Sequence, residues 1–547
     1  MKKNILNSSL FVLLSFLSLC GCSSDDETIV TATDGTTLTV IARADNFTST
    51  DGTPQTRAKE EANHTTVFTD GDKIGVFAVK GGSVITECNN VPLTYDGENW
   101  NGTVYKYADA TYFAYYPYDE NLNTNITGVS EIVSAFNTSV AAATDQSTYE
   151  KYTACDLMTA SSDHASLSDK TLTFTFSHQM SMVEISLPMQ KYKTSENADA
   201  FEYSSPVLGA TFSITPSNGS AKTIKPYNMG NGVYRYIVPP TGSAFTAKGE
   251  FKTTDGKTIE YSKNNLSLST GNYKRLNVTY TGSSTVITRV LAVGDFYYFD
   301  GSILPCPQEE GVTVPSEGCI GVIYCTDPNR IDNDAKQALA TKGVSSAHGL
   351  VMALTNASEG CRWGNENQDE NSGGSDGQPF YENTDNLKKQ YNNISGYAET
   401  QWIINTYNSG TTLQNTYTAF YHANNYGKTD ETKQYAAPEN TTGWFIPSMG
   451  QWWDILSNLG GIELSNHQNS DKNYVDIAAT TAVNKMNTYL TKVNGATPFD
   501  TGTYFLSSSE CSDGNACNLF FNIYGYLGLT RGDKADSGFK VRCSFAF

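Results

Sequence analysis

Residues 73–79 read KIGVFAV, a short run of apolar, β-branched and aromatic residues of the kind that forms a β-strand. Three similar runs follow, at residues 111–116 (TYFAYY), 172–176 (LTFTF) and 182–187 (MVEISL). Pro117 ends the first of these, because proline has no N–H to donate to a strand ladder. Short strands joined by turns predict a mainly β protein in which residues 61–190 form a β-sandwich.

Residues 191–283 continue this pattern and predict a second β-sandwich. Its strand-like runs lie at residues 209–214, 234–238, 246–253 and 273–280. Pro239-Pro240 and Asp255-Gly256 are turn sequences between the runs. Residues 281–284 read TGSS, a composition typical of a linker, and separate the sandwiches from the rest of the chain.

Residues 1–21 have the features of a secretory signal, with Lys2 and Lys3 before an apolar run. That run, residues 10–19, is about half the length of a membrane-spanning helix. The residues at its end, Leu19-Cys20-Gly21-Cys22, resemble a lipobox, which implies that a lipid on Cys22 anchors the chain in a membrane. A plain secretory leader with incidental cysteines is the alternative.

Residues 22–60 predict a tether that contains one strand, at residues 37–42. The acidic stretch at its start, residues 23–27, resembles the export signal of surface lipoproteins in anaerobic Gram-negative bacteria. This resemblance implies a surface-exposed protein of the outer membrane. The formal net charge of −20 makes nucleic acids and anionic membrane surfaces poor partners.

Residues 290–547 differ in composition, since they hold five of the six tryptophans and seven of the eleven cysteines. A helix is predicted near residues 398–406, and another beginning at Ser448, where Ser448 and Gln451 form a capping box. Cys511 and Cys517 are close enough in sequence for a local disulfide, in a compartment that permits such bonds. The spacing of cysteines and histidines predicts no structural metal site.

Five segments together resemble the fimbrillin family of pilus subunits and pilus-associated lipoproteins. They are residues 56–58 (TRA), 68–77 (FTDGDKIGVF), 112–118 (YFAYYPY), 156–158 (DLM) and 176–180 (FSHQM). The resemblance spans roughly residues 30–283 and implies two transthyretin-like β-sandwiches. It also implies assembly with other fimbrillin subunits by strand exchange, after an Arg-specific protease removes an N-terminal strand.

Arg57-Ala58 lies where the resemblance places this processing site, at the junction of tether and domain. Arg43-Ala44 is a second candidate, and an ordinary exposed arginine in a loop is the alternative reading of Arg57. An exchanged strand supplies main-chain hydrogen bonds to an open sheet edge and side chains to the core.

The last part of the chain resembles a different family, the bacterial C-type-lectin-like domains. The segments that carry this resemblance are residues 443–448 (GWFIPS), 505–510 (FLSSSE) and 538–543 (GFKVRC). Leu506 stands where that family usually has tryptophan. The resemblance implies an α+β lectin-like domain over residues 290–547.

A ligand site in this last domain is predicted at a run of oxygen-bearing side chains beside an aromatic ring. Its members are Trp363, Asn365, Glu366, Asn367 and Asp369. Such side chains stack on sugars and bind their hydroxyls, whereas a solvated polar loop is the alternative. The six histidines are scattered singly and no paired carboxylates stand out, so the sequence predicts neither a catalytic residue nor a cofactor.

Together these features predict a cell-surface fimbrial tip or accessory subunit with a ligand-binding C-terminal domain, and not an enzyme. Its ligands would be host or bacterial glycans or proteins. A surface glycan-binding lipoprotein outside any pilus is the alternative function, and an enzyme on the lectin-like scaffold is a third.

Overall fold

The computed structural model describes residues 33–50, 64, 66–122, 126–140, 143–241, 243–309, 311–370, 386–472 and 477–547. Within them the protein is mainly β, as predicted. It divides into two compact units. The first contains residues up to 45 with 66–135 and 158–177, and the second contains 46–65, 136–157 and 178–547. No helix in the described ranges is long and apolar enough to cross a membrane.

The first unit is built around one large sheet. In order across the sheet, its strands are Ala165–Ser168, Thr171–His178, Met158–Ala160, Thr111–Tyr116, Lys73–Lys80, Val91–Tyr95 and Trp100–Asn101, with Ser83–Val84 beside Lys73–Lys80. A separate pair joins Thr33–Thr37 to Tyr105–Tyr107, and the helix Val129–Val140 begins in this unit. The predicted strands at residues 73–79, 111–116 and 172–176 are confirmed.

The strand Thr39–Ala44, called the N-terminal strand below, joins the same sheet by pairing in parallel with Thr171–His178. It contributes side chains to the core on one side only: Val40 is buried with the neighbouring Leu38, while Ile41 is half exposed. This alternation is that of a strand with one buried face. The strand predicted at residues 37–42 is therefore present, shifted by two residues.

The second unit begins with a β-sandwich. One sheet has the order Tyr227–Gly230, Val233–Val238, Ser181–Ser186, Asn272–Asn277 and Thr48–Ser49, and the other Lys222–Ile224, Leu208–Pro216, Phe245–Lys252 and Thr258–Leu266. A third, small sheet joins Glu202–Ser204, Lys191–Lys193 and Val286–Thr288. The helix Tyr149–Thr153 also belongs to this unit.

The boundary predicted between the sandwiches, at residue 190, is wrong. Ser181–Ser186 pairs with Val233–Val238 and Asn272–Asn277, and Val183 and Ile185 lie in the core of the second sandwich. The chain crosses between units near residue 178. A short apolar run shows that a strand forms but does not show which sheet it joins, because neighbouring strands are chosen by tertiary packing.

The C-terminal region, which was predicted as a separate domain, lies in the same compact unit as the second sandwich. Its first sheet has the order Ile303–Leu304, Phe296–Tyr298, Cys319–Cys325, Leu350–Ala353 and Ser544–Ala546. Its second sheet has the order Ser358–Cys361, Phe539–Val541, Thr503–Ser512, Asn515–Phe521, Tyr526–Asp533 and Ile477–Ala478.

Helices pack around these two sheets. They are Asn333–Thr341, Leu387–Asn392, Gly396–Tyr407, Thr412–Asn415, Thr418–Asn425, Met449–Asp454 with its π-helical continuation Ile455–Leu459, and Ala479–Leu490. Short 3₁₀ turns among the described residues lie at Thr86–Cys88, Ser162–His164, Pro328–Arg330, Lys433–Tyr435 and Ser465–His467. Both predicted helices are confirmed, and the capping box of Ser448 and Gln451 is present in both directions.

Candidate functional sites

The prediction that the Trp363 ring binds a ligand is wrong, because this side chain is completely buried. Its indole Nε1 donates a hydrogen bond to the Ser507 carbonyl oxygen at 3.0 Å. Its ring meets Phe420 edge to face, with 5.2 Å between centroids. An aromatic residue beside a polar run can turn towards the core or the solvent, and the sequence alone does not distinguish the two.

The polar members of that predicted site are exposed. Asn365, Glu366, Asn367 and Asp369 lie on a loop, where the Asn367 N–H donates to Asn365 Oδ1 at 3.0 Å. In the part of the chain that the structure describes, no group of three His, Cys, Asp or Glu side chains is arranged to hold a metal ion. Ligand binding by these four residues stays a prediction.

A buried ionic cluster underlies this loop. Lys534, with a fully buried side chain, forms salt bridges with Glu370 and Glu510. Its ammonium lies 4.8 Å from the centre of the Trp363 ring, and Tyr417 donates to Glu370 Oε1 at 2.6 Å. Burial raises the pKa of Glu510, while Lys534 opposes the rise. One cation between two carboxylates fixes the base of the loop.

A second buried polar cluster lies between a helix and the Thr503–Ser512 strand. Glu399 accepts hydrogen bonds from Asn393 Nδ2 at 2.8 Å and from Ser508 Oγ at 2.5 Å. Burial raises the pKa of Glu399 to about 8. Ser509 joins the cluster by accepting from Asn393 and from the Met449 N–H.

These clusters explain what the C-terminal signature segments do. The run at residues 505–510 supplies Ser508, Ser509 and Glu510 to buried hydrogen bonds. Arg542, in the third segment, is buried and donates to the main-chain oxygens of Ala353, Leu354 and Thr497. Sequence reasoning missed Lys534 and Glu399 because an isolated charged residue carries no sign of burial, although the polar run of residues 507–510 is a usable signal.

The disulfide expected between Cys511 and Cys517 is present, with the two Cα atoms 5.5 Å apart. The free cysteines among the described residues are Cys88, Cys155, Cys306, Cys319, Cys325, Cys361 and Cys543. All but Cys306 are buried, and burial raises the pKa of the Cys361 thiol to about 12. Such thiols are poor nucleophiles, because the thiolate is the reactive form.

Described residues on either side of the predicted processing site are in contact with each other. Cys22, Arg57 and Ala58 lie outside the described residues, but Phe47 and His64, on either side of Arg57, are described. The Phe47 N–H donates to the His64 carbonyl oxygen at 3.3 Å. The Phe47 ring stacks on His178 at 3.7 Å between centroids.

Arg43, the alternative processing site, lies within the N-terminal strand. Its position pairs with Thr175, and its Nε donates to Thr175 Oγ1 at 3.0 Å. A protease binds its substrate as an extended, unpaired segment, so a bond inside a paired strand is a poor substrate in the folded protein. The geometry thus disfavours cleavage after Arg43.

Residues 56–293 match the sequence pattern of a family described as fimbrillin-like. Over these residues the chain is fimbrillin-like. Two of the family-like segments meet in the fold, since the His178 Nδ1 and Asp156 Oδ1 atoms are hydrogen-bonded at 2.8 Å.

This fimbrillin-like chain is similar to a protein of Bacteroides ovatus provisionally named fimbrium tip subunit Fim1C. The two are 26% identical over an alignment of 527 positions, which covers 89% of this chain and 89% of that protein. Among solved structures, a fimbrial protein of Bacteroides ovatus is 21% identical, with 94% of this chain and 99% of that chain covered and a TM-score of 0.39. A candidate cell adhesion protein of Bacteroides fragilis is 10% identical, with coverage of 44% and 92% and a TM-score of 0.26.

Proposed function

We propose that the protein is a tip or accessory subunit of a fimbria on the bacterial surface, where it mediates adhesion. In this proposal Cys22 carries a lipid that tethers the precursor to the outer membrane, and Arg57-Ala58 is the processing site. The first unit then accepts a strand from another fimbrial subunit. The C-terminal region, with a C-type-lectin-like fold, is the ligand-binding head. The fimbrillin-like match and the tip-subunit relative support this proposal.

The N-terminal strand is the observation that carries the proposal. Val40 fills the core of the first unit together with Leu38, and Ala42 and Ala44 pack against it. Cleavage after Arg57 would cut the chain between this strand and the rest of the unit. Loss of the strand would leave an apolar groove beside Thr171–His178, which a strand of alternating apolar residues can fill.

The strand Ser544–Ala546, called the final strand below, supports a terminal or accessory position. It pairs with Leu350–Ala353 on one side and bridges to Phe445 on the other. Phe545 is completely buried and Phe547 nearly so. Donation of these residues to a neighbouring subunit would dismantle the core of the C-terminal region, so they are unsuited to link a fibre shaft.

Processing tests the proposal directly. Fimbriae would be purified from cells that produce the protein with Arg57→Ala, and compared with cells that carry the matched Arg43→Ala variant. We expect the native protein and Arg43→Ala to co-purify with the fimbrial shaft and to begin at Ala58 by N-terminal sequencing. We expect Arg57→Ala to stay uncut and to be absent from the fimbriae.

Two results would contradict the proposal. One is recovery of the native protein as a lone outer-membrane lipoprotein that binds no strand of any fimbrial subunit, which favours a surface glycan-binding lipoprotein. The other is normal incorporation of Arg57→Ala, which excludes cleavage at this site as the step that opens the groove.

A further inference from the structure

Exposed apolar side chains of the C-terminal region converge on one corner. Apart from Val290 at the start of the region, every exposed large apolar side chain that the structure describes there lies at this corner: Tyr504, Ile523, Tyr524 and Tyr526. Tyr524 is 80% exposed and Ile523 64% exposed. Scattered exposed apolar residues are ordinary, whereas a cluster marks a binding surface.

The corner is the open end of a sheet face. Tyr504 pairs with Phe520, and Phe520 pairs with Gly528, so the three lie in one row across neighbouring strands. The other face of these strands is buried in the core through Phe505, Leu519, Phe521, Leu527 and Leu529. On the row's own face, Leu506 and Asn518 are buried one step further along, so the face is covered there and open at Tyr504.

A pair of stacked aromatic rings stands at the open end. The rings of Tyr504 and Phe520 are stacked, with centroids 3.9 Å apart and planes 7° from parallel. Gly528 leaves a gap beside them: a Cβ there would lie 3.5 Å from the Phe520 Cβ and 3.7 Å from the Thr530 Cγ2. Because Gly528 has no side chain, no side chain from that position contacts the Phe520 ring, whose Cδ1 would lie 3.9 Å from such a Cβ.

The adjoining turn holds its aromatic residues in place. The Asn522 N–H donates to the Tyr526 carbonyl oxygen at 2.8 Å, and the Gly525 N–H donates back to Asn522 at 3.0 Å. Asn522 Oδ1 accepts from the Tyr524 N–H at 2.7 Å. A turn fixed by three hydrogen bonds presents Tyr524 and Tyr526 with little loss of freedom on binding.

We propose that this aromatic platform, made of Tyr504, Phe520, Tyr524 and Tyr526, binds a neutral saccharide. The inference deepens the proposed adhesive function by naming the ligand class and the place where it binds. No described side chain hydrogen-bonds the hydroxyls of Tyr504, Tyr524 or Tyr526, so these groups are available to sugar hydroxyls beside the ring faces that accept sugar C–H groups.

Size and charge favour this class of ligand. A stable protein interface uses about 20 to 30 residues on each side, far more than this corner offers. The platform residues and Thr530 carry no charge, and the chain as a whole carries −20, so an anionic glycan would be repelled. A small neutral ligand matches both properties.

The test is binding of the full-length processed protein to an array of neutral oligosaccharides, with sialylated and sulfated glycans as the charged arm. The strongest neutral saccharide would then be titrated by calorimetry. We expect Phe520→Ala and Tyr526→Ala each to weaken binding by at least about tenfold, since each removes one aromatic contact. We expect Gly528→Leu to weaken it similarly by filling the gap.

Tyr149→Ala is the matched control. Tyr149 is an exposed tyrosine, and it is far from the platform residues in sequence. It should leave the affinity unchanged. The double variant Tyr524→Phe and Tyr526→Phe keeps the rings and loses the hydroxyls, and it should bind several-fold more weakly. Unchanged near-UV circular dichroism would show that each variant is folded.

Absence of neutral saccharide binding, binding only in the charged arm, or equal affinity in the Phe520→Ala and Tyr149→Ala variants would overturn the proposal. Fimbrial incorporation, measured separately on the same variants, should be unaffected. Failure of the platform is thereby distinguished from failure of the fimbrial function, which would instead appear as loss of incorporation.

Discussion

The cores of the first unit and of the C-terminal region differ in how they are held together. In the first unit, the buried polar side chains that the structure describes are Thr159 and a set of tyrosines and a tryptophan, and none of them is charged. The C-terminal region instead buries Glu370, Glu399, Lys534 and Arg542. One core is joined mainly by apolar contacts, and the other also by buried charges that require particular partners.

This difference indicates where a strand can be exchanged. An apolar groove accepts replacement side chains of roughly the right size, because hydrophobic burial has no preferred direction. A buried charge tolerates no such replacement, since loss of its partner leaves it unpaired in a medium of low polarity. Exchange of the N-terminal strand is thus compatible with its surroundings, whereas exchange of the final strand would disturb the adjacent buried Arg542, which donates to the Ala353 carbonyl oxygen in the paired strand.

Lys534→Met tests the polar core most severely. Removal of the ammonium leaves Glu370 and Glu510 without their shared cation, and we expect the free energy of unfolding to fall by about 3 to 5 kcal/mol. Urea denaturation followed by tryptophan fluorescence measures it. Lys540→Met is the matched control, because Lys540 pairs with the mostly exposed Glu359 and should change stability by less than about 1 kcal/mol.

Equal effects of the two lysine variants would remove the contrast between the cores. That result would mean that packing alone maintains the C-terminal region.

Phe545→Ala and Val40→Ala compare the final and N-terminal strands directly. Phe545 is completely buried and contacts Tyr297 and Trp444, so its loss should cost about 3 to 4 kcal/mol. Val40→Ala should cost about 2 kcal/mol or less, since it removes a smaller side chain from one face of the N-terminal strand. Denaturation midpoints with probes in each unit measure both costs. A larger loss for Val40→Ala would reverse the comparison.

Glu399→Gln tests the polar core of the C-terminal region through the pH dependence of its stability. Burial raises the pKa of Glu399 from 4.5 to about 8, so between these values the unfolded chain releases its proton while the folded chain keeps it. Stability therefore falls as pH rises from about 5 to 8, by roughly 2 to 4 kcal/mol for this group. Glu399→Gln should flatten that fall and raise the melting temperature at pH 8.

The exposed Glu439→Gln variant is the control for this experiment, and it should follow the native pH profile. A native profile that is flat from pH 5 to 8 would show that Glu399 is not protonated in the folded state.

The strands of the two sandwiches were predictable because their residues alternate or form short apolar runs ended by turns. The helix at Ser448 was predictable because its capping residues are local in sequence. The assignment of Ser181–Ser186 to the second unit was not, because a strand is placed by partners far along the chain, Val233–Val238 and Asn272–Asn277.

The candidate sites show the same difference between features that depend on neighbours in sequence and features that depend on distant residues. The Cys511–Cys517 bond depends on a short separation that the sequence displays. The burial of Trp363 depends on Phe420 and Ser507, which are far from it in sequence. The aromatic platform was missed because Tyr504, Phe520 and Tyr526 come together only through strand register.

The N-terminal strand runs parallel to Thr171–His178, and this direction has a consequence for assembly. A replacement strand that repeated the pairing would enter in one orientation only. The contact would join unlike surfaces and would have no twofold axis. The parallel register of a single six-residue strand would therefore fix the direction in which this subunit is mounted on the subunit that donates the strand.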